Sequence, residues 1–177
     1  MTTRDITSEL RYSRHLALPD FGPQGQRRLT RGRALIFGLG GLGSPAAMYL
    51  AAAGVGEIIL CDFDSVDLSN LQRQIAHSAD DLGMLKVESA ADKLLAINPE
   101  IAVYIIDERL DDDELLEEVE GVDVVLDGTD NFGSRFAINA ACVSSGVPLV
   151  SGAAIRYSGQ LAVFEPARAN SPCYSCL

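Results

Sequence analysis

The chain has 177 residues, 47% of them hydrophobic, which is enough for one domain with a full core and too few for a comfortable second one. A formal charge of −11 excludes nucleic acid as a partner of the surface as a whole, so any anionic ligand must be held locally. No stretch approaches about 18 uninterrupted apolar residues, and Met1-Thr2-Thr3-Arg4-Asp5 lacks an apolar signal core, so a cytoplasmic protein with no membrane partner is expected. The four cysteines, Cys61, Cys142, Cys173 and Cys176, fit a reducing compartment better than a disulfide scaffold.

Residues 1–32 read as a helical arm. Leu10, His15 and Leu16 have helical spacing over Thr7–Leu18 behind a Thr7/Ser8 cap, Pro19 stops the run, and a second short helix is predicted over Gln24–Thr30. Seven of the twelve arginines fall between residues 4 and 33, as they would in an arm that meets something anionic. From residue 33 to 177 strand and helix alternate. Strands are predicted at Ala34–Phe37, Glu57–Cys61, Ala102–Ile106, Val122–Leu126, Leu149–Ser151 and Leu161–Phe164. Helices are predicted at Leu42–Ala53, Lys86–Ile97, Asp112–Val119 and Phe132–Ser145. Gly54 and the pair Asn98-Pro99 end two of those helices. Unbroken apolar strands separated by helices mean a Rossmann-like, doubly wound α/β fold with a mainly parallel sheet covered on both faces. The nine carboxylates between Asp107 and Glu120 read as a solvated helix face with its approach loop.

The segment Ala34-Leu35-Ile36-Phe37-Gly38-Leu39-Gly40-Gly41-Leu42-Gly43 runs an apolar strand through a glycine-rich turn into a helix. Gly38, Gly40, Gly41 and Gly43 let a backbone approach phosphates without a Cβ, and the amides opening the helix from Leu42 point at an anion with the helix dipole behind them. This pattern alone means a nucleotide, most often a dinucleotide. Asp62 ends the second strand about 20 residues later, where an acid accepts from ribose hydroxyls, and Asp64 repeats the acid. The bland alternative is a solvated strand-end aspartate.

The crossover that follows, Ser69-Asn70-Leu71-Gln72-Arg73-Gln74, places an asparagine donor and an arginine fork one helical turn apart, able to face one phosphate chain. Lys86, opening the next helix, would add a point charge, although in isolation a surface lysine is the ordinary reading. Asp127-Gly128-Thr129-Asp130-Asn131 ends the fourth strand, where a carboxylate can hold Mg²⁺ opposite a triphosphate. Asp130 is preferred to Asp127 for that role, with a helix N-cap as its alternative. Cys173 and Cys176 form one C-x-x-C, half of a tetrahedral Zn²⁺ site, and His15 and His77 lie in the wrong parts of the chain to complete it.

Together with Arg11-Tyr12-Ser13-Arg14 and Pro172-Cys173-Tyr174-Ser175-Cys176-Leu177, these motifs resemble the ubiquitin-activating-like superfamily. The nearest branch is the MoeB/ThiF group of molybdopterin-synthase and thiamine-biosynthesis adenylyltransferases, and Leu149–Arg156 leans toward the molybdopterin side. The resemblance implies an enzyme that uses ATP and Mg²⁺ to adenylate the C-terminal Gly-Gly carboxylate of a small ubiquitin-fold sulfur-carrier protein (MoaD/ThiS type), releasing pyrophosphate. Such a carboxylate, with a pKa of roughly 3.5, is already the nucleophile at neutral pH and needs no general base. Carried over by position, Asp62 holds the ribose, Asn70, Arg73 and Lys86 the phosphates, and Asp130, beside Asn131, the metal. Arg14 reaches the phosphates from the other subunit of a homodimer.

The family continues beyond this point with a crossover loop, further strands and a second C-x-x-C, so the sequence reads as C-terminally truncated, with Zn²⁺ expected only if that second cysteine pair exists. The rival readings are an NAD-dependent oxidoreductase domain, a non-catalytic nucleotide-binding fragment and, within the superfamily, a tRNA threonylcarbamoyladenosine dehydratase.

Overall fold

Alternating side chains on the inner strands divide the core into two halves. In the computed structural model, which describes residues 9–176, Ala34 and Ile36 of β1 (Arg33–Phe37) pack on one face of the sheet and Leu35 and Phe37 on the other. The first face, with Ile58 and Leu60 of β2 (Glu57–Cys61), is covered by α3 (Gly43–Ala53) and α4 (Lys86–Ile97) through Ala47, Ala51, Val87, Ala90 and Leu94. The second is covered by α5 (Asp112–Glu120) and α6 (Phe132–Ser145) through Leu115, Val119, Ile138 and Cys142.

With β3 (Ala102–Ile106), β4 (Val124–Asp127), β5 (Leu149–Ile155) and β6 (Ser158–Phe164), the strand order is β3-β2-β1-β4-β5-β6. The first five strands are parallel and β6 is antiparallel to β5. From β1 the chain winds outward to β2 and β3 and then returns to the other side of β1 to form β4. The strand order therefore reverses between β1 and β4, and the crevice beyond their carboxyl ends is where a doubly wound sheet binds its ligand.

The expected doubly wound, mainly parallel α/β fold is the one observed, and β2, β3, α4 and α6 have the expected limits. β4 runs to Asp127 and does not begin until Val124, because Asp123 is turned to accept from the Arg33 amide (2.8 Å). β5 extends four residues beyond Ser151, because a hairpin pairs it with β6 through Ile155↔Ser158. Arg156, at φ 56°, makes the tight turn. β3 is an edge strand that leaves Tyr104 and Ile105 exposed, so an apolar run there does not mean cover on both faces. The acidic run is α5 and its approach, with Asp111 and Glu114 forming a reciprocal N-terminal capping pair.

The arm departs from its expected form. The Thr7/Ser8 cap lies outside the described residues, and the helix breaks at Tyr12 before α1 (Ser13–Leu16), followed by α2 (Gly22–Arg31). Leu10, expected on the apolar stripe, is exposed, and Tyr12 is the anchor. Its ring packs on Gly54 and its hydroxyl accepts from Asn98 Nδ2 at 2.8 Å. Gly54 has φ +84° at the end of α3, so it supplies both the turn and the room for that ring.

A candidate nucleotide site at the β1–β4 switch point

The glycines of the turn after β1 have two different jobs. A Cβ at Gly43 would overlap the Gly38 carbonyl oxygen, and one at Gly38, which has φ +81°, would stand 3.0 Å from the Gly128 backbone. Gly38, Gly43 and Gly128 thus let the tips of β1, α3 and β4 touch. At Gly40 an added Cβ would meet only Gln74 Nε2 at 3.7 Å, and at Gly41 the nearest atom is Arg73 Cγ at 3.4 Å. At those two positions of the turn a Cβ would meet only side chains at van der Waals distance, so close backbone packing does not account for their glycines. Leu42, which precedes α3, offers no side-chain cap, and the amides of Gly40, Gly41 and Leu42 make no bond among the described hydrogen bonds. A helix N-terminus in this state presents donors and a positive dipole end to an anion.

Leu39, inside the turn, is held at both ends. Its amide donates to Asp62 Oδ2 at 2.7 Å, and its carbonyl accepts from Ser44 Oγ at 2.7 Å and lies 3.3 Å from His77 Nε2. Asp62 Oδ1 also accepts from the Asp64 amide at 2.9 Å. Each carboxylate oxygen therefore has one backbone partner and one lone pair left.

The crossover brings its cation to the turn. Asp67 caps the 3₁₀ turn Leu68–Asn70 by accepting from the Ser69 amide, and the Ser69 hydroxyl, together with that amide, holds its carboxyl below the usual range. Arg73 then lies with its aliphatic stem along Gly41, its guanidinium exposed and donating only to the Ser69 carbonyl at 3.1 Å among the described bonds. Asn70, one turn earlier, is half-buried. Gln74 is buried beside Gly40, and its Oε1 has no hydrogen-bond partner among the described residues.

Lys86 is not the surface lysine that its type suggests in isolation. Its side chain is 7% exposed and its Nζ pairs with Asp64 Oδ2 at 2.7 Å, so two of the predicted nucleotide-facing groups are bonded to each other.

Across the crevice Asp127 is buried and fully used. Its Oδ1 accepts from the amide and hydroxyl of Thr129, and its Oδ2 accepts from Ser151 Oγ at 3.0 Å and faces Arg135 at 3.6 Å. Arg135 is buried as well, donating to the carbonyls of Thr129 and Gly152 and resting against the Tyr174 ring. The N-cap of α6 is Asn131, which accepts from the Ser134 amide at 2.9 Å. Asp130 is therefore not the cap: it is exposed and has no partner among the described hydrogen bonds and ion pairs. Its loop adjoins the glycine turn through the Gly128 amide, which donates to the Phe37 carbonyl at 2.8 Å.

This network carries a stability prediction. Arg135→Ala leaves the Asp127 carboxylate buried without its counter-ion, and the expected loss is about 3 to 5 kcal/mol, read as a fall in the urea midpoint. Arg135→Lys should recover only part of it, since an ammonium cannot reach Thr129, Gly152 and Ser151 together.

Arg14 is not near this crevice in its own chain. The arm packs where Gln26 donates to the Ala53 carbonyl and His15 bonds Gln26, at the far end of α3. That helix has 11 residues and is about 16 Å long. Cys173 and Cys176 lie on a separate loop, seated on α6 where Asn139 accepts from the Tyr174 amide and donates to Ser175 Oγ. Their sulfurs are 3.5 Å apart, near the roughly 3.8 Å that two thiolates span on a tetrahedral zinc. No group of three or more metal-ligating residues occurs among the described residues. Cys61 and Cys142 are buried on the second core face, and burial pushes both thiols up to about 12.

Three residues that shape the site are given no role in it by the sequence alone: Gln74, His77 and Arg135. His77 and Arg135 are identifiable only through their distant partners. Gln74 follows directly on Arg73, and a polar residue inside a motif so dense in polar groups was the available signal.

The chain matches the ThiF family model over residues 12–177. It belongs to that family. This ThiF-family chain is 46% identical over 173 residues to the SAMP-activating enzyme E1 of Haloferax volcanii, covering 98% of the chain and 63% of that relative. It is 52% identical over 168 residues to the molybdopterin-synthase adenylyltransferase of Escherichia coli, covering 95% of the chain and 67% of that protein. The chain thus spans about two thirds of the length of these relatives. Among solved structures it resembles Escherichia coli MccB with ATP, at TM-score 0.80 and 25% identity, over 99% of this chain and 59% of that one. No helix among the described residues is long and apolar enough to cross a membrane.

Proposed function

We propose that the crevice binds MgATP and that the protein adenylates the C-terminal Gly-Gly carboxylate of a small ubiquitin-fold sulfur-carrier protein, with release of pyrophosphate. One observation carries this reading: Arg73 lies along Gly41 with its guanidinium exposed beside a helix N-terminus that has no side-chain cap, while Asp130, beyond the neighbouring strand tip, has no partner among the described residues. A redox dinucleotide would leave both idle. The attacking carboxylate is ionised at neutral pH, so the protein has to position it in line and neutralise the phosphates.

In this assignment the remaining lone pairs of Asp62 accept from the ribose hydroxyls, and the open amides at Gly40, Gly41 and Leu42 cradle the phosphates. Asn70 and Arg73 donate to them from above. Lys86, a three-proton donor already tied to Asp64, contributes its other N–H groups. Asp130 fits Mg²⁺, being a free carboxylate on the rim of the crevice, and Asn131 retains its side-chain N–H groups for the nucleotide. Bound there, the ion would neutralise charge on the triphosphate. Arg14 has no path to this crevice within its own chain, which is consistent with a homodimer in which it serves the partner's site. Cys173 and Cys176 fit as two of four zinc ligands. A cytoplasmic location accords with the absence of a spanning helix among the described residues and the four free cysteines.

Titration calorimetry with MgATP and with NAD⁺ tests the reading. MgATP is expected to bind and NAD⁺ not; tight NAD⁺ binding without MgATP binding sinks it. Asp130→Ala should leave the unfolding midpoint unchanged, because its carboxylate holds nothing together. Carrier-dependent pyrophosphate exchange should fall by about 10² or more.

A further inference from the structure

The crossover segment is buried at one point by a histidine that the assignment above does not use. His77 is 6% exposed, with Nδ1 2.8 Å from Ser89 Oγ on α4 and Nε2 3.3 Å from the Leu39 carbonyl in the glycine turn. A carbonyl can only accept, so Nε2 carries the proton, and in the neutral ring Nδ1 must accept from the Ser89 hydroxyl. The Leu39 carbonyl thereby fixes the tautomer, and the Ser89 hydroxyl, able to donate or accept, follows it.

Leu39 is the residue through which the turn is gripped. Asp62 holds its amide, while Ser44 and His77 occupy the two lone pairs of its carbonyl. The peptide plane that follows sets the direction of the Gly40 amide, and the Ser44 amide closes the first helical turn on the Gly40 carbonyl at 3.0 Å. His77 lies only four residues beyond Arg73 on the same crossover. One imidazole thus ties together the donor turn, the arginine segment and α4, which carries Lys86.

We propose that His77 is a positioning residue for phosphate binding: its Nε2–H fixes the Leu39 carbonyl so that the glycine-turn amides and Arg73 face the phosphates in one register. This deepens, and rests on, the reading of the crevice as a nucleotide site. The side chain touches no reacting atom in this role. Its effect is on binding in ground and transition state alike.

The test compares three variants of the full-length protein in carrier-dependent pyrophosphate exchange. His77→Gln can keep a donor near Nε2. His77→Asn reaches the Ser89 side but not Leu39, and His77→Ala reaches neither. His77→Ala and His77→Asn are each expected to raise KM for ATP about tenfold with kcat nearly unchanged, the pattern of lost uniform binding. His77→Gln should stay within about threefold of the parent on the same reasoning. Equal KM values for the glutamine and asparagine variants, or rescue by asparagine alone, overturn the proposal. If His77→Ala does not fold, the Gln and Asn pair carries the comparison.

Should the parent bind no MgATP, the functional reading falls, and the positioning claim is decided by hydrogen exchange at the Leu39 and Ser44 amides. Protection kept in His77→Gln and lost in His77→Asn upholds it; equal protection in both overturns it.

A pH profile gives a second readout. Burial, with the Lys86 charge adding to it, pushes the His77 pKa below the ordinary 6.5 against the Leu39 carbonyl, Asp81 and Asp62, which favour the charged ring. As pH falls below 6.5 the unfolded chain takes up this proton first, so stability falls with pH across the window beneath 6.5. His77→Gln should remove that component while keeping KM; an unchanged profile in the variant counts against the buried neutral tautomer on which the proposal depends.

Discussion

Arg73→Ala is expected to lower carrier-dependent pyrophosphate exchange by about 10² to 10³ while leaving the urea unfolding curve in place. The two halves of that expectation come from different observations. The stem of Arg73 lies along Gly41 and its guanidinium makes one described hydrogen bond, to the carbonyl of the exposed Ser69, so truncating the side chain uncovers no buried partner. The guanidinium is the exposed cation of the crossover, whereas the Lys86 ammonium is buried and has already given one N–H to Asp64 at 2.7 Å. Arg73→Lys should recover little, since a flexible point charge does not replace a planar fork of donors. Steady-state exchange together with equilibrium unfolding checks both halves. A variant that retains exchange would remove Arg73 from the phosphate site.

Gly43→Ala should have the largest effect on the protein as a whole. The added methyl would overlap the Gly38 carbonyl oxygen, which is backbone and cannot rotate away like a side chain. Relief would require parting β1 from the start of α3, and with it the amides proposed to hold the phosphates. A loss of several kcal/mol, of the kind associated with overpacking against backbone, is expected, with little folded protein recovered. Gly40→Ala is the informative contrast. Its Cβ meets only Gln74 Nε2 at 3.7 Å, so the fold should survive with a normal melting temperature. If nucleotide approaches over this residue, MgATP affinity should fall by about tenfold or more. Equal outcomes for the two alanine variants would contradict the division of labour among the glycines.

Much of the fold was legible in the sequence because α/β periodicity is strong. Glu57–Cys61, Ala102–Ile106, Lys86–Ile97 and Phe132–Ser145 occur where apolar runs and helical spacing place them. The start of β4 and the hairpin of β5 with β6 were less legible. The first depends on a long-range bond between Asp123 and Arg33, the second on cross-strand pairing that local composition does not encode. In the arm, Tyr12 displaced Leu10 as the anchor because the contact surface is the end of α3 at Gly54, known only once the helices are packed.

The candidate site divides along the same line. Residue types and spacing were sufficient to nominate the glycine turn, Asp62, Asn70, Arg73, Lys86 and Asp130, since each belongs to a short motif whose chemistry is local. Sequence alone could not decide that Asn131 rather than Asp130 caps α6, that Lys86 is buried against Asp64, or that Asp127 is consumed by Arg135. Nor could it find His77, whose partners are Ser89 and the carbonyl of Leu39, 38 positions away. A side chain's chemistry is written in its type, but whether that chemistry is free for a ligand depends on which distant groups have already claimed its protons and lone pairs. Only the reversal of strand order between β1 and β4, a property of the whole sheet, brings those groups within reach of one another.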